Sequence, residues 1–493
     1  MNSVSEPHAR GKIEYKWIAL SVTTIGALMA AIDGTIVILA LPDMMVKLHA
    51  GLVEMVWVIM AYILMSTVCL LTFGRIADMF GRVRMYNLGF IIFTVGSALC
   101  GFSRTATELI VFRLVQGAGA AFMMVNSPAI IAEVFPPHQR GRALGINGVT
   151  WAIGGIAGPL LGGLILAAAD WRWIFFINVP IGLLGTVWGY LALKEKSTRN
   201  KAEKFDLAGA ATFSLGLVAL LFALTIGIQM SWTSFPILSL FALFVAMLAV
   251  FFLRERRVAN PVLDLSLFRN RVYSFSVVAA MLQSLAMFAV NFLIVFYFQG
   301  VRGYSPLTAA LFLIPLSIVS AVAGPLSGLL ADRIGARIPA TAGLLLQAAA
   351  LVWFVVKLSP TTSYASLVVG LVLVGLGAGL FYSPNTSAAM NGAPRHRLGI
   401  ASATLATLRQ TGMVTSFALA LAVAAGSLPR EAMMQLFVGT NVTLGSQTMQ
   451  AFVVGIRSAF LVSLVLCVLA AGFSLVRGRE ERGAAVQPIR STR

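Results

Sequence analysis

Long apolar segments alternate with short polar and mostly basic segments along nearly the whole chain. A helix needs about 20 apolar residues to cross the hydrocarbon core of a bilayer. On this basis the pattern predicts an all-α polytopic membrane protein. Its fourteen predicted transmembrane spans lie at 17–41, 55–74, 85–102, 107–132, 142–167, 172–193, 206–229, 234–253, 272–299, 306–330, 338–356, 363–388, 398–426 and 453–476.

The distribution of Lys and Arg orients these spans. One set of loops, together with both tails, holds most of the basic residues, from Arg75, Arg82 and Arg84 through to Arg395 and Arg397. The opposite loops hold only Lys47, Arg104, Arg172, Arg302, Lys357 and Arg430. Loops rich in Lys and Arg stay in the cytoplasm. We therefore expect both termini to be cytoplasmic and the protein to lie in the cell (inner) membrane.

Two short segments, 254 positions apart, are near-copies of each other. Both follow the pattern Gly-x3-Asp-x2-Gly, and their residues are Gly74, Asp78, Gly81 and the following Arg82 in the first, and Gly328, Asp332 and Gly335 in the second. Helix N-termini favour a nearby carboxylate, so the two loops are predicted to hold the cytoplasmic side shut as gates. A solvated turn with surface ion pairs is the alternative.

The repeat also predicts the domain organisation. The two loops follow spans 2 and 10, an offset of eight, whereas two plain six-helix halves would give an offset of six. We expect two pseudo-symmetric six-helix bundles with an inserted two-helix hairpin, as in many transporters. The predicted segments are a tail at 1–16, a bundle at 17–193, a linker with the hairpin at 194–271, a bundle at 272–476 and a tail at 477–493.

Composition excludes several classes of function. The chain is 59% hydrophobic and 11% charged, with a net charge of +18. Such a charge can indicate nucleic-acid binding, but here it lies in loops and tails, so no nucleic-acid partner is predicted. Cys69, Cys100 and Cys467 fall inside apolar spans without metal-ligand spacing. No ATPase or catalytic motif occurs, so we expect no enzyme activity and no cofactor, with a proton gradient as the energy source.

Asp33 is the only acid deep within a predicted span. A carboxylate in hydrocarbon costs several kcal/mol unless it faces a cavity or a partner. Burial favours its protonated form, and Arg113 in span 4 keeps a permanent charge. Competition between a proton and Arg113 for Asp33 is therefore the predicted coupling device. A permanent Asp33–Arg113 tie, or a hydrogen bond from Thr35, is the structural alternative.

Span 5 carries a stripe of small residues. Gly154, Gly158 and Gly162 recur every four residues and share one helix face, next to Pro159 and Gly163. Small residues allow close backbone contact, and a proline permits a bend. Tight static packing and a sliding contact between halves are equally compatible with this pattern.

Aromatic residues suggest where a substrate could bind. Phe288, Phe292 and Phe296 are spaced by four in span 9. Such stripes more often pack or face lipid, but in a cavity they suit lipophilic or cationic compounds. The predicted cavity residues are Asp33, Gln116, Asn291, Phe292, Phe381, Tyr382 and Asn385. Arg409 in span 13 forms a second buried cationic site, without an assigned role.

Six segments together resemble the fourteen-helix drug:proton antiporter branch of the major facilitator superfamily. They are Asp33–Pro42, Gly74–Arg84, Arg113–Gly117, Gly154–Gly163, Trp171–Pro180 and Asn260–Phe268. The resemblance implies export of lipophilic, often cationic compounds in exchange for protons. It implies coupling roles for Asp33 and Arg113, and gating roles for Asp78, Gly81 and Arg82.

The sequence leaves other functions open. The predicted partners are small lipophilic substrates, cationic or neutral, together with protons and membrane lipids. A lipid or hydrophobic-metabolite exporter is the main alternative, and a non-transporting sensor or assembly subunit is disfavoured by the buried charges. An adaptor protein is conceivable but has no support in the residues. A single core acid predicts about one proton per substrate.

Overall fold

The computed structural model of the chain describes residues 14–195, 206–227, 230–258, 263–394, 398–425 and 446–478. These residues are almost entirely helical, with no strand among them. The helices are α1 (Tyr15–Lys47), α2 (Leu52–Phe80), α3 (Arg82–Phe102), α4 (Ala106–Val134), α5 (Pro137–Ala168), α6 (Trp173–Phe176), α7 (Asn178–Ala192), α8 (Leu207–Ile226), α9 (Phe235–Glu255), α10 (Arg271–Phe296), α11 (Pro306–Ile334), α12 (Arg337–Lys357), α13 (Tyr364–Asn391), α14 (Leu398–Ala425) and α15 (Ser446–Val476).

Helix length and apolarity identify a multi-pass membrane protein. Thirteen helical segments in the described ranges are long and apolar enough to cross a membrane. The count of fourteen spans and the location of the termini stay predictions. The sixth predicted span is divided into α6 and α7, because Pro180 has no N–H to donate to the carbonyl of Phe176.

The helices pack in two groups with the same pattern. In α1–α7, the N-terminal half, α1 packs on α5, α2 on α4, and α3 on α4 and α7. In α10–α15, the C-terminal half, α10 packs on α14, α11 on α13, and α12 on α13 and α15. The halves meet along two seams, where α5 contacts α11 and α2 contacts α14. Equivalent helices therefore make equivalent contacts in both halves.

The inserted helices α8 and α9 form a hairpin. The Asp206 carboxylate joins its ends, accepting hydrogen bonds from the Gly209 N–H at 3.0 Å and from Arg254 Nε at 2.8 Å. The rings of Trp57 on α2 and Phe222 on α8 lie 4.4 Å apart, and α8 also contacts α14. Helix α9 is largely exposed, whereas α8 covers the α2–α14 seam.

The duplicated loops share an uncommon backbone conformation. Gly81 and Gly335, which follow α2 and α11, have φ angles of 109° and 86°. Their N–H groups donate to the carbonyls of Ala77 at 2.9 Å and Ala331 at 2.8 Å. Side chains of L-residues are disfavoured in this region. The repeat therefore preserves a glycine because each helix ends at a residue with a positive φ and an extended ψ, of 129° at Gly81 and 154° at Gly335.

We expect Gly335→Ala to destabilise the protein by about 1–2 kcal/mol, because alanine resists a positive φ. An added Cβ at Gly335 meets no atom within 4 Å, so the backbone angle is the whole cost. Gly324→Ala is the matched control, since an added Cβ there is equally free and the residue lies inside α11. The midpoint of thermal unfolding in detergent should fall only for Gly335→Ala; an equal fall in both variants would contradict the argument.

Candidate functional site

A buried ion pair between α1 and α4 forms the centre of the candidate site. Arg113 Nη1 lies 2.6 Å from Asp33 Oδ2, and the two side chains are 1% and 0% exposed. Both residues face each other because α1 packs against α4 within the N-terminal half. The ion pair that the sequence suggested as one alternative is therefore present in this conformation.

Amide side chains complete the surroundings of Asp33. Its Oδ1 accepts hydrogen bonds from Gln116 Nε2 at 2.8 Å and from Asn178 Nδ2 at 3.1 Å. The Asn178 amide also donates to Ser97 Oγ at 3.2 Å. Side chains from α4 and α7 therefore donate directly to this α1 carboxylate, and α3 reaches it through Asn178.

Arg113 has several further partners. Its Nε donates to the Val58 carbonyl at 3.1 Å, and its Nη1 also donates to Gln116 Oε1 at 2.8 Å. The guanidinium carbon lies 4.2 Å from the centre of the Tyr62 ring, a cation–π contact. Both α2 and α4 therefore position this arginine.

Sequence reasoning missed one member of this site and placed another contact differently. Asn178 lies within a motif that the sequence analysis quoted, but no role was assigned to it. Thr35 does not bond Asp33; its hydroxyl donates to the carbonyls of Ala31 at 3.1 Å and Gly154 at 3.3 Å. A short polar residue within an apolar helix, such as Asn178, was the available signal.

The geometry links the charge of Asp33 to helix arrangement. Removing one partner of a buried ion pair costs about 3–5 kcal/mol, because the other charge stays buried without compensation. Protonation of Asp33 in this arrangement would remove the negative partner of Arg113. An uncharged residue at position 33 would therefore leave the Arg113 guanidinium buried without its ion-pair partner at the contact between α1 and α4.

The glycine stripe of α5 packs against α1. A Cβ added to Gly154 would collide with Ala31, one added to Gly158 with the Thr35 hydroxyl, and one added to Gly162 would lie 3.0 Å from Ile36 Cγ1. Those three α1 residues flank the Asp33 segment. Pro159, which lies within the stripe, is buried in α5.

Gly163 makes a different contact from the rest of the stripe. A Cβ added there would lie 2.9 Å from Leu307 Cα on α11. The close contacts of Gly154, Gly158 and Gly162 therefore lie within the N-terminal half, and Gly163 contacts the C-terminal half.

Several of the predicted gating residues make close contacts with neighbouring helices. An added Cβ at Gly74 would lie 3.0 Å from Val125 and 3.8 Å from Ala403 on α14, so α2 approaches the C-terminal half closely here. Arg82 Nη1 lies 3.9 Å from Glu133 Oε2. An added Cβ at Gly328 would lie 3.0 Å from Ser383 Oγ. The side chains of Asp78 and Asp332 lie outside the described part of the structure.

Glu195 is a further residue at the first gating loop. Its Oε2 accepts the backbone N–H groups of Val83 at 3.1 Å and Arg84 at 3.2 Å, at the start of α3. A Cβ added to Gly81 would collide with this carboxylate. The sequence analysis had placed Glu195 in a linker, since only tertiary contact brings it to α3.

The other predicted cavity residues do not join Asp33. Phe292 is buried, with its ring 4.4 Å from that of Phe296, and Phe381 is buried as well. Asn385 donates to the Ser276 carbonyl at 3.0 Å and accepts from Arg477 at 3.2 Å, a packing role in the C-terminal half. Asn291 and Tyr382 are exposed. A role of these five residues in a substrate cavity stays a prediction.

A metal centre finds no support in the described residues. No group of three or more His, Cys, Asp or Glu side chains is close enough among them to hold a metal ion. Cys69, Cys100 and Cys467 are buried and free.

The fold and the buried ion pair have the features of a polytopic membrane transporter. Residues 23–417 match the family described as Major Facilitator Superfamily. The chain belongs to that family. Its fold also resembles the bacterial homologue of the human lysosomal transporter Spinster (TM-score 0.63, 18% identity, 95% of this chain and 98% of that one). It resembles the xylose transporter XylE from E. coli as well (TM-score 0.60, 13% identity, 93% and 98%).

Relatives of known name confirm the resemblance to drug exporters. The multidrug resistance protein Stp of Mycobacterium tuberculosis is 35% identical over 402 residues, which are 81% of this chain and 74% of that protein. The tetracenomycin C resistance and export protein of Streptomyces glaucescens is 32% identical over 412 residues, 83% and 76%. The riboflavin transporter RibZ of Clostridioides difficile is 32% identical over 410 residues, 83% and 88%.

Single substitutions in the ion pair should cost more stability than the double substitution. Asp33→Asn or Arg113→Gln should each lower the unfolding free energy by about 3–5 kcal/mol, because each leaves one partner buried alone. The double variant should lose less than either single one. Lys47→Gln is the control, since its pairs with Asp43 and Asp170 are exposed and worth about 0–1 kcal/mol. Additive losses in the double variant, measured by thermal unfolding in detergent, would speak against a coupled pair.

Adding a single methyl group at the α1–α5 contact should lower the stability of the protein. Gly158→Ala forces the added Cβ against Thr35, and overpacking typically costs about 1–3 kcal/mol. Gly155→Ala, on the same helix with no atom within 4 Å of the added Cβ, should be neutral or stabilising. Thermal unfolding of both variants compares them directly. Equal stability of the two variants would show that α5 does not press on α1 here.

Proposed function

We propose that this protein is a secondary active transporter that exports small lipophilic compounds in exchange for protons by alternating access. The observation that carries the proposal is the Asp33–Arg113 pair, buried at membrane depth and held by polar groups from several helices. Ionisable groups inside transmembrane segments are expensive and mark ion and substrate pathways.

In the proposed cycle a proton competes with Arg113 for Asp33. Protonation releases the guanidinium from its carboxylate, and Gln116, the Val58 carbonyl and the Tyr62 ring remain as its partners. The weakened tie between α1 and α4 lets the N-terminal half change its packing. Loss of the proton restores the ion pair and the original arrangement.

Alternating access uses the two seams between the halves. Close contacts such as Gly163 to Leu307 and Gly74 to Ala403 hold the halves together in this conformation. Rocking of one half against the other would open these contacts in turn. We place the repeated Gly-x3-Asp-x2-Gly loops at the cytoplasmic gate, with Glu195 and Arg82 fastening the first of them.

One coupling carboxylate implies one proton exchanged per substrate, and this stoichiometry determines the driving force. With one proton per substrate, the pH gradient supplies roughly 1.4 kcal/mol per pH unit. Exchange for a monocation is electroneutral, whereas a neutral substrate adds about 2.3 kcal/mol per 100 mV of membrane potential. We propose no further cofactor.

The distribution of basic residues in the loops supports the proposed orientation of the spans in the membrane. We place fourteen spans in the cell membrane with both termini in the cytoplasm, because the basic loops then all lie on that side. The bundles at 17–193 and 272–476 form the two rocking units, with the hairpin segment 194–271 between them.

The relatives support drug export without choosing the compound. Stp is named for multidrug resistance and the Streptomyces glaucescens relative for resistance to and export of tetracenomycin C. RibZ is named a riboflavin transporter, so family membership alone does not determine the substrate. No observation in the described residues favours a lipid exporter or an adaptor partner.

Asp33→Asn should abolish proton exchange. In proteoliposomes with the protein and an internal pH dye, addition of a transported drug should release protons from the wild type and not from the variant. Asp43→Asn is the matched control: the same substitution in the same helix, at an ion pair that is partly exposed. Normal exchange by folded Asp33→Asn would remove Asp33 from the coupling mechanism.

A further inference from the structure

Arg409 is a second arginine at membrane depth, on α14. It lies eleven residues after Leu398, which begins the helix, or about 16 Å along the helix axis. That is near the middle of a hydrocarbon core of about 30 Å. A guanidinium at this depth keeps its charge, so it needs water in a cavity, a backbone carbonyl or an anionic partner.

Arg409 differs from Arg113 in its partners. Arg113 has a carboxylate, an amide oxygen, a carbonyl and an aromatic ring. Among the described residues, Arg409 contacts only the ring of Tyr382, with its guanidinium carbon 5.8 Å from the ring centre. Asp33 is not a partner of Arg409, because its carboxylate is fully buried and already accepts hydrogen bonds from three other side chains.

Arg409 lies next in sequence to a residue at the seam between the halves. The neighbouring Gln410 reaches α2, where its Nε2 lies 3.5 Å from Ser66 Oγ. No α14 side chain with described burial is exposed, and Arg409 itself is half-buried. Tyr382 on α13 is 40% exposed. In the proposed cycle this seam opens during transport. Arg409 would then be accessible to a substrate, next to the partly exposed Tyr382 ring.

We propose that Arg409 and Tyr382 form a substrate subsite for the anionic group of a lipophilic aromatic compound, such as a hydrophobic carboxylate. The fixed positive charge attracts an anion and repels a cation strongly in a medium of low dielectric constant. The Tyr382 ring offers a face for the aromatic body of the same compound. This inference rests on the proposed export function and changes its substrate class, since the sequence alone favoured cationic or neutral drugs.

The charge of the substrate has a measurable consequence. Export of a monoanion in exchange for one proton moves two charges across the membrane in the same electrical sense. An inside-negative potential should therefore accelerate anion export, whereas exchange for a monocation would be electroneutral.

Binding of three probes with one aromatic body tests the subsite. The probes are anthracene carboxylate, hydroxymethylanthracene and aminomethylanthracene, which are anionic, neutral and cationic at neutral pH. Their fluorescence can be titrated against the purified full chain in detergent, without any gradient. We expect the carboxylate to bind most tightly and the amine most weakly.

Arg409→Gln should weaken binding of the carboxylate roughly ten- to a hundredfold, the range expected for a lost charge-assisted hydrogen bond. Binding of the neutral probe should change little. Arg409→Lys should keep the preference for the anion, which separates a charge effect from a folding defect. Arg302→Gln is the matched control, because Arg302 also lies over a tyrosine ring but bonds the Pro360 carbonyl and the Tyr304 hydroxyl.

Two results would overturn the proposal. One is tighter binding of the amine than of the carboxylate by the wild type. The other is an unchanged preference in folded Arg409→Gln. Because binding is measured without proton exchange, it also separates this inference from the proposed function. If the anionic probe binds preferentially but no proton exchange is found, only the antiport proposal is rejected. If proton exchange is found but the anionic probe is not preferred, only the subsite is rejected.

Discussion

The buried Asp33–Arg113 ion pair is the interaction on which the N-terminal half depends. Two opposite charges at membrane depth are tolerable only together, and their hydrogen bonds must be satisfied from within the protein. Gln116 and Asn178 do this for the carboxylate, and Val58 and Gln116 for the guanidinium. Four helices are therefore held in register by one electrostatic requirement.

Close contact between helix backbones helps to hold the helices around the ion pair in register. Helices in a membrane gain little from the hydrophobic effect, so van der Waals packing of small residues must hold them together. The α5 glycines let α5 lie directly on the segment of α1 that carries Asp33. A change in the charge of Asp33 would thus act next to the tightly packed contact between α1 and α5. In the proposed mechanism, this tight contact would pass a protonation event at Asp33 on to the packing of whole helices.

The two halves share their helix packing but differ in charge. The N-terminal half holds a neutralised pair, whereas the C-terminal half holds Arg409 with an aromatic ring as its partner among the described residues. A neutralised pair suits a switch that responds to protons. A fixed cation at the seam suits recognition of a substrate. The two bundles are thus similar in packing, and under our proposals their polar residues would serve different steps of transport.

Much of the architecture was predictable, because membrane helices obey local rules. Apolar length predicted the helices, and the repeated glycine motif predicted the equivalent packing of the halves. The division of the sixth span at Ile177, just before Pro180, and the contact of α8 with the α2–α14 seam were missed. The first depends on a single absent N–H, and the second on an apolar helix whose sequence does not distinguish lipid from protein neighbours.

The candidate site was predictable only in part. Asp33 and Arg113 were recognisable because charges are rare in apolar segments, and sequence alone therefore determined the class of protein and its charged residues. Tertiary structure decided which groups meet. It joined Asn178 and Gln116 to Asp33, brought Glu195 to the start of α3 and placed Asn385 beside Arg477. It also gave Arg409 the ring of Tyr382 as its partner among the described residues. Such contacts join residues far apart in the chain, and only the packing of helices selects their partners.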